Sequence, residues 1–119
     1  MDVVLSDTDE WTVLRTAVQR LTAIAPVEAI ILFGSRARGD HTPDSDYDLC
    51  VILSDDVAPG AFTPVSLWQQ VSDLGIPIQI VPLRRSRFEA ARNDPNSVSY
   101  QIAHDGRVVF EKAVPSLAP

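Results

Sequence analysis

Cysteine and methionine each occur once in this sequence and histidine twice, and no apolar run approaches the roughly 20 residues that a membrane-spanning helix requires. A lone cysteine closes no internal disulfide, and no cysteine-histidine spacing suggests zinc. Cys50 lies inside the apolar run CVIL and reads as the buried, reduced thiol of a cytoplasmic protein. The segment MDVVLSDTDEWT carries neither a basic stretch nor a long apolar one, so export and membrane insertion are not expected. Positive charge is scarce as well: 10 basic residues face 16 acidic ones, for a formal net charge of -6. That balance argues against extensive direct nucleic-acid binding through a broad phosphate-neutralising surface, and leaves local clusters at Arg36 with Arg38 and between Arg84 and Arg92.

What the chain does have is apolar content. Of its 119 residues 45% are hydrophobic, enough for one modest domain with a core and little for a second. The stretch from Thr8 to Ala25 predicts a first helix, because Trp11, Leu14, Val18, Leu21 and Ala25 recur at spacings of three and four. Thr8 can cap it, Asp9 and Glu10 suit the positive end of its dipole, Trp11 serves as a core anchor and Pro26 ends it. Ala29 to Phe33 is a strand whose almost unbroken apolar character implies helices on both faces. Ser45 to Leu53 is a second strand. Thr63 and Pro64 open a helix with Val65, Leu67, Trp68, Val71 and Leu74 on its apolar side, and Gly75 stops it. Ile76 to Val81 is a third strand, with Pro77 and Pro82 fitting its ends or an edge position. Ser86 and Glu89 suggest a capping box for a short helix reaching Asn93, a further helix runs from Asn96 to Ala103, and Arg107 to Glu111 forms the last strand. The domain therefore spans residues 1–111, and residues 112–119, with two prolines, read as a flexible tail.

The chemistry concentrates in Ile30 to Leu53, IILFGSRARGDHTPDSDYDLCVIL. Period-two alternation places Asp46 and Asp48 on one face of the second strand and turns Tyr47 and Leu49 to the other, so Tyr47 is expected in the core. Two neighbouring carboxylates are hard oxygen ligands suited to a divalent cation such as Mg2+. Gly34 permits a turn or a close approach that other residues forbid, and Ser35 with the following backbone donors can receive a phosphate. Arg38 has a competing role as a surface partner of Asp40 or Asp44. Asp55 and Asp56 read as solvated turn residues.

The run GSRARGDHTPDSDYDL, Gly34 to Leu49, resembles the signature of the minimal nucleotidyltransferases of the polymerase-beta-like superfamily. Its Arg-x-Arg-Gly after Gly-Ser is similar to that of short prokaryotic members, many of them antitoxins encoded beside a helical HEPN ribonuclease toxin. The similarity extends from Ala29 to about Glu111. It implies a nucleotidyltransferase-like α/β fold, a small mixed sheet flanked by helices. By the same resemblance Asp46 and Asp48 are catalytic and hold Mg2+. Gly34 and Ser35 cradle the β- and γ-phosphates of ATP, and Arg36 and Arg38 add charge-assisted contacts. The implied reaction moves AMP from ATP to a hydroxyl, in this group a tyrosine of a HEPN-type toxin partner, with carboxylate-held metal neutralising the charge that develops.

One position departs from that pattern. The family places a third carboxylate between apolar residues of a later strand, and the matching segment here is Ile78-Gln79-Ile80. An amide cannot carry negative charge or act as a general base toward an attacking hydroxyl. A second functional class therefore stands beside the first: a non-catalytic antitoxin that neutralises its partner by binding. The chain ends shortly after its last strand, which suggests an acceptor that brings its own binding surface, and a homo-oligomer completing the site stays open.

Overall fold

The computed structural model describes residues 2–112, with side chains from Trp11 onward. Its elements follow in the order α1 (Asp2–Ile24), β1 (Val27–Phe33), α2 (Ser35–Arg38), β2 (Tyr47–Leu53), α3 (Pro64–Gln69), β3 (Ile78–Arg84), α4 (Arg85–Ala91), α5 (Val98–Asp105) and β4 (Arg107–Glu111). The strands form one mixed sheet in the order β3-β2-β1-β4. β1 runs antiparallel to both β2 and β4, whereas β2 and β3 are parallel.

Strand alternation divides the core between the two faces of this sheet. Ile30 and Leu32 of β1 and Tyr47, Leu49 and Val51 of β2 pack with Leu14, Ala17 and Leu21 of α1 and Leu67 of α3. The intervening residues Ala29, Ile31, Cys50 and Ile52 pack on the opposite face with Phe88 of α4 and Ile102 of α5. A strand covered on both faces must be apolar at successive positions, which is the physical content of the runs AIILF and LCVIL. Burial pushes the Cys50 thiol up to about 12, so it is an inert core side chain and not a nucleophile. Among the described residues no helix is long and apolar enough to cross a membrane.

Several boundaries differ from the sequence expectation. α1 begins at Asp2, so Thr8 lies inside the helix and Asp9 and Glu10 are beyond its first turn. Trp11 is 47% exposed, because the buried stripe of α1 is completed by Ala17 in place of the indole. α3 opens on the expected Thr63 cap, reinforced by the reciprocal bond from Thr63 N–H to Ser66 Oγ, but ends at Gln69. The chain then tightens through Val71 N to Trp68 O at 2.9 Å and Leu74 N to Val71 O at 3.2 Å. Leu67 and Val71 are buried and Val65 and Trp68 are not, since so short a helix has only one inward turn. β3 continues through Pro82 to Arg84, which its edge position permits. All but Lys112 of the expected flexible tail lies outside the described residues.

The expected capping box of α4 is replaced by a long-range cap. Ser86 N–H donates to Asp55 Oδ1 at 3.0 Å, while Glu89 pairs with Arg85 and Arg92. Asp55 is thus more than a solvated turn residue: it ties the loop after β2 to the start of α4. The hydrogen bonds from Ser86 hold its carboxyl below the usual carboxylate range, with Arg84 and Arg85 adding to the effect. A group whose pKa falls on folding contributes its full stabilisation above the unfolded value and loses it as acid protonates the folded form. Asp55→Asn keeps an acceptor oxygen and removes the charge, so its stability is expected to depend less on pH below about pH 4 than that of the parent. Denaturant midpoints measured across that range check this. Parallel curves for the two proteins would show that Asp55 carries no linked charge.

Candidate functional site

The site lies where β1 ends, β2 begins and β3 runs alongside. Phe33, Asp48 and Gln79 are register partners across these three strands. Asp48 is the second residue of β2 and shares a face with Cys50 and Ile52, as alternation requires. Asp46 stands just before the strand, in the loop and not on it as expected. Its charge nevertheless reaches Asp48. Burial first, then the Asp46 carboxylate, pushes the Asp48 pKa up, and Arg38 partly offsets them.

Gly34 explains how the chain approaches Asp48 so closely. Its φ of 75° and ψ of -156° fall in a region essentially reserved for glycine, and a Cβ there would run into Asp48 Oδ2. Gly34 O then accepts from the N–H groups of Ala37 and Arg38 at 3.1 Å each, closing the single turn of α2. Ser35 is its first residue. Gly34→Ala is expected to lower stability by about 1–3 kcal/mol through backbone strain and to displace the Asp48 carboxylate. Denaturation midpoints together with the carboxyl chemical shift of Asp48 test both parts, and a variant matching the parent in both would remove the proposed close approach.

The two arginines after Gly-Ser have different surroundings. Arg36 Nε donates to Ser45 O at 3.2 Å, and its Nη2 donates to the carbonyls of Thr42, Pro43 and Ser45 at 3.1–3.3 Å. Its guanidinium also lies 4.1 Å from the centre of the buried Tyr47 ring. Arg36 thereby clasps the loop that delivers Asp46. Arg38 is more exposed and reaches Asp40 at 3.3 Å and Asp105 of α5 at 3.8 Å, so its expected pairing with Asp40 is present and Asp105 is an addition that sequence spacing did not suggest.

The structure brings Gly34, Asp48 and Gln79 side by side, with Asp46 and the α2 residues Ser35, Arg36 and Arg38 at the same end of the sheet. Residues 18–114 match the sequence profile of the polymerase beta nucleotidyltransferase family. The chain belongs to that family. Its fold is shared with a Sulfolobus solfataricus protein named as a nucleotidyltransferase, at 18% identity and a TM-score of 0.61 over 94% of this chain and 89% of that one. A toxin-antitoxin structure with AMP-PNP is similar at 23% identity and a TM-score of 0.56, covering 82% of this chain and 73% of that one. A toxin-antitoxin MntA-HpeT variant carrying two aspartate-to-glutamate changes matches at 21% identity and a TM-score of 0.58, with the same coverage. No curated protein sequence matches significantly.

Within this nucleotidyltransferase-family chain, the third strand position beside Asp48 holds the exposed amide of Gln79. Among the described residues no group of three or more His, Cys, Asp or Glu side chains gathers as a metal site, so any cation would rest on two carboxylates. The pair fits that task. Asp48 is a partly desolvated carboxylate beside a second negative charge, with a glycine cradle keeping the space at Oδ2 clear. Magnesium commonly binds through one or two carboxylates plus substrate phosphates.

Three of the four arginines before and along α4 have partners within the chain, and the fourth, Arg87, is exposed. Arg84 donates to Asp55 O, Arg85 bridges Glu28 and Glu89, and Arg92 pairs with Glu89. What sequence reasoning missed is a groove of about 280 Å³ at the β3 edge, lined by Asp46, Pro64, Val65, Trp68, Ile78, Gln79 and Ile80. The sequence carried no signal for it, because Thr63-Pro64 to Gly75 reads as a helix long enough to bury both Val65 and Trp68, whereas the helix ends at Gln69.

Proposed function

We propose that this chain is a Mg2+-dependent protein adenylyltransferase that transfers AMP from ATP to a tyrosine hydroxyl of a HEPN-type toxin partner, and so acts as an antitoxin. The observation that carries the reading is the carboxylate pair Asp46 and Asp48 set against the Gly34 turn. Family membership supplies the reaction class. The likeness to toxin-antitoxin structures, one with AMP-PNP and another an MntA-HpeT tyrosine-to-alanine variant at 24% identity, supports the choice of donor, partner and acceptor.

In this reading Gly34 and Ser35 receive the β- and γ-phosphates, and Arg38 adds positive charge. Arg36 keeps the Asp46 loop in place. Asp46 and Asp48 would hold magnesium, which supplies neutralisation of triphosphate charge and of the charge developing at the attacked phosphorus. The Asp48 pKa, raised by burial and by Asp46, marks a carboxylate whose ionised form is uncomfortable without a cation.

Gln79 favours a second reading, a binding antitoxin that occludes its partner without chemistry. Intact mass of a co-purified helical partner after incubation with the protein, Mg2+ and ATP separates the two. AMP adducts that require both aspartates support transfer. Inhibition of the partner without an adduct, retained in an Asp46→Asn, Asp48→Asn protein, supports occlusion.

A further inference from the structure

A second groove, of about 360 Å³, lies at the β4 edge of the sheet, on the α1 face and away from Asp48. One wall is α1, which presents Trp11, Leu14, Arg15 and Val18 at the i, i+3, i+4, i+7 spacing of a single helical face. The other is Arg107, Val108 and Val109 of β4. Trp11 is 47% and Val108 58% exposed, so an indole and a branched aliphatic group stand open beside two arginines. We infer that this groove docks an acidic amphipathic helix of a partner protein: Trp11 and Val108 take its apolar face, and Arg15 and Arg107 take the carboxylates that flank it. The inference goes beyond both readings of the site, since it holds whether the chain transfers AMP or only binds.

Charge decides the sign of the partner. The chain carries a net charge of -6, yet none of the described residues that line the groove is acidic. A smaller hollow sharing Trp11, Leu14 and Arg107 continues it to Arg36 and His41, again without a carboxylate. Arg15 and Arg107 are exposed, and neither guanidinium has an ion-pair or hydrogen-bond partner among the described residues, whereas Arg20, Arg38, Arg85 and Arg92 are each paired. Two unpaired cations beside open apolar surface are complementary to carboxylates at the margins of an apolar face. A nucleic acid fits less well. It calls for a row of cations along its phosphates, and Leu14, Val18, Val108 and Val109 offer phosphates nothing.

Shape decides for a helix over an added strand. β4 is an edge strand, but its register against β1 shifts between Ile30 and Ile31 and leaves Val109 without a partner. Such a bulge twists an edge away from further pairing, so a new strand finds no regular ladder. A trough walled by one helix and one strand is instead filled by side chains, which an amphipathic helix supplies from one face. A second copy of this chain seated two-fold in the same groove fails on charge, because the contact sets Arg15 and Arg107 against their own counterparts.

The test is NMR titration of the full chain with two helical model peptides of roughly 20 residues that share a leucine face, one flanked by glutamates and the other by lysines. The Glu-flanked peptide is expected to shift the Trp11 indole N–H and the Val108 methyl groups while the exposed Trp68 indole, beside the β3 edge, stays unmoved; the Lys-flanked peptide is expected to shift neither. Arg15→Glu with Arg107→Glu is expected to weaken the Glu-flanked peptide about tenfold, the scale of two exposed ion pairs, and to admit the Lys-flanked peptide in its place. That exchange of preference separates lost charge from lost fold. Equal shifts with both peptides, equal shifts at both indoles, or silence toward both peptides would overturn the inference. Oligouridine moving Trp11 where the Glu-flanked peptide does not would overturn it in favour of a nucleic-acid platform. A concentration-dependent Trp11 shift in the free protein, with a matching rise in sedimentation coefficient, would overturn it in favour of a second copy, and nuclear Overhauser contacts from Trp11 to residues 113–119 in favour of the chain's own tail.

Discussion

Asp48→Asn is expected to lower AMP transfer at least roughly a hundredfold while leaving the fold as stable as before or more so. The loss follows from removing one of the two carboxylates that the described residues offer a cation at this site, an effect on the scale of deleting a single electrostatic stabiliser of a transition state. The stability change has the opposite sign because the Asp48 pKa is raised in the folded protein, by burial and by Asp46. A raised carboxylate pKa means that folding disfavours the ionised form, and the neutral isostere relieves that cost. Activity and stability moving apart is the signature of a residue kept for function. Initial rates by intact mass, with thermal unfolding in the absence of Mg2+, give both numbers. If transfer survives, or if activity and stability fall together, Asp48 is structural and the metal reading fails.

The sheet was legible because period two is a strong signal where both faces are covered. AIILF and DLCVIL left no other reading, and alternation alone turned Tyr47 into the core and Asp48 away from it. Asp46 was placed on the strand because alternation has no information about where a ladder starts. That boundary depends on partners from elsewhere, here Arg36 gripping the carbonyls of Thr42, Pro43 and Ser45 and Tyr47 N bonding to Pro77 O at 2.8 Å. The cap of α4 failed for the same reason. Ser86 and Glu89 have capping-box spacing, but Asp55, 31 residues earlier, reaches Ser86 first, and Glu89 is drawn to two arginines.

Exposed aromatics were the other illegible class. Trp11 and Trp68 both sit at helical spacing from buried neighbours, and a periodic pattern does not say where its stripe ends. In α1 small Ala17 occupies the buried position and the indole lies at the margin. In α3 the helix stops before a second inward turn, leaving Trp68 beside Asp46 and Gln79. The candidate site was therefore legible where it depends on local order, Gly34, Ser35 and the Asp-x-Asp spacing, and hidden where it depends on how distant elements meet.

Gln79→Glu is the substitution with the largest expected gain. Gln79 is the register partner of Asp48 on a parallel strand, so a carboxylate there joins Asp46 and Asp48 to make the three-acid cluster that the described residues lack. A correctly placed general base is worth roughly 10²–10⁴ in rate. With an alkyl alcohol acceptor, such as a serine-bearing peptide, the variant is expected to gain at least about a hundredfold, because an alcohol depends on proton removal. With a tyrosine acceptor the gain is expected to be smaller, since the phenol is already acidic. The third negative charge also has a structural consequence. Without Mg2+ it repels Asp48, whose ionised form is already disfavoured, and the variant should melt below the parent; added Mg2+ should reverse that order. Rates with paired tyrosine and serine peptides, and melting curves with and without Mg2+, test the two halves separately. A variant with no transfer to either peptide but a restored Mg2+-dependent melt would show that the fold still binds metal and has lost the rest of the catalytic arrangement, which is the binding-antitoxin reading. Equal gains for both acceptors would show that the acidity of the acceptor does not set how much the amide of Gln79 costs.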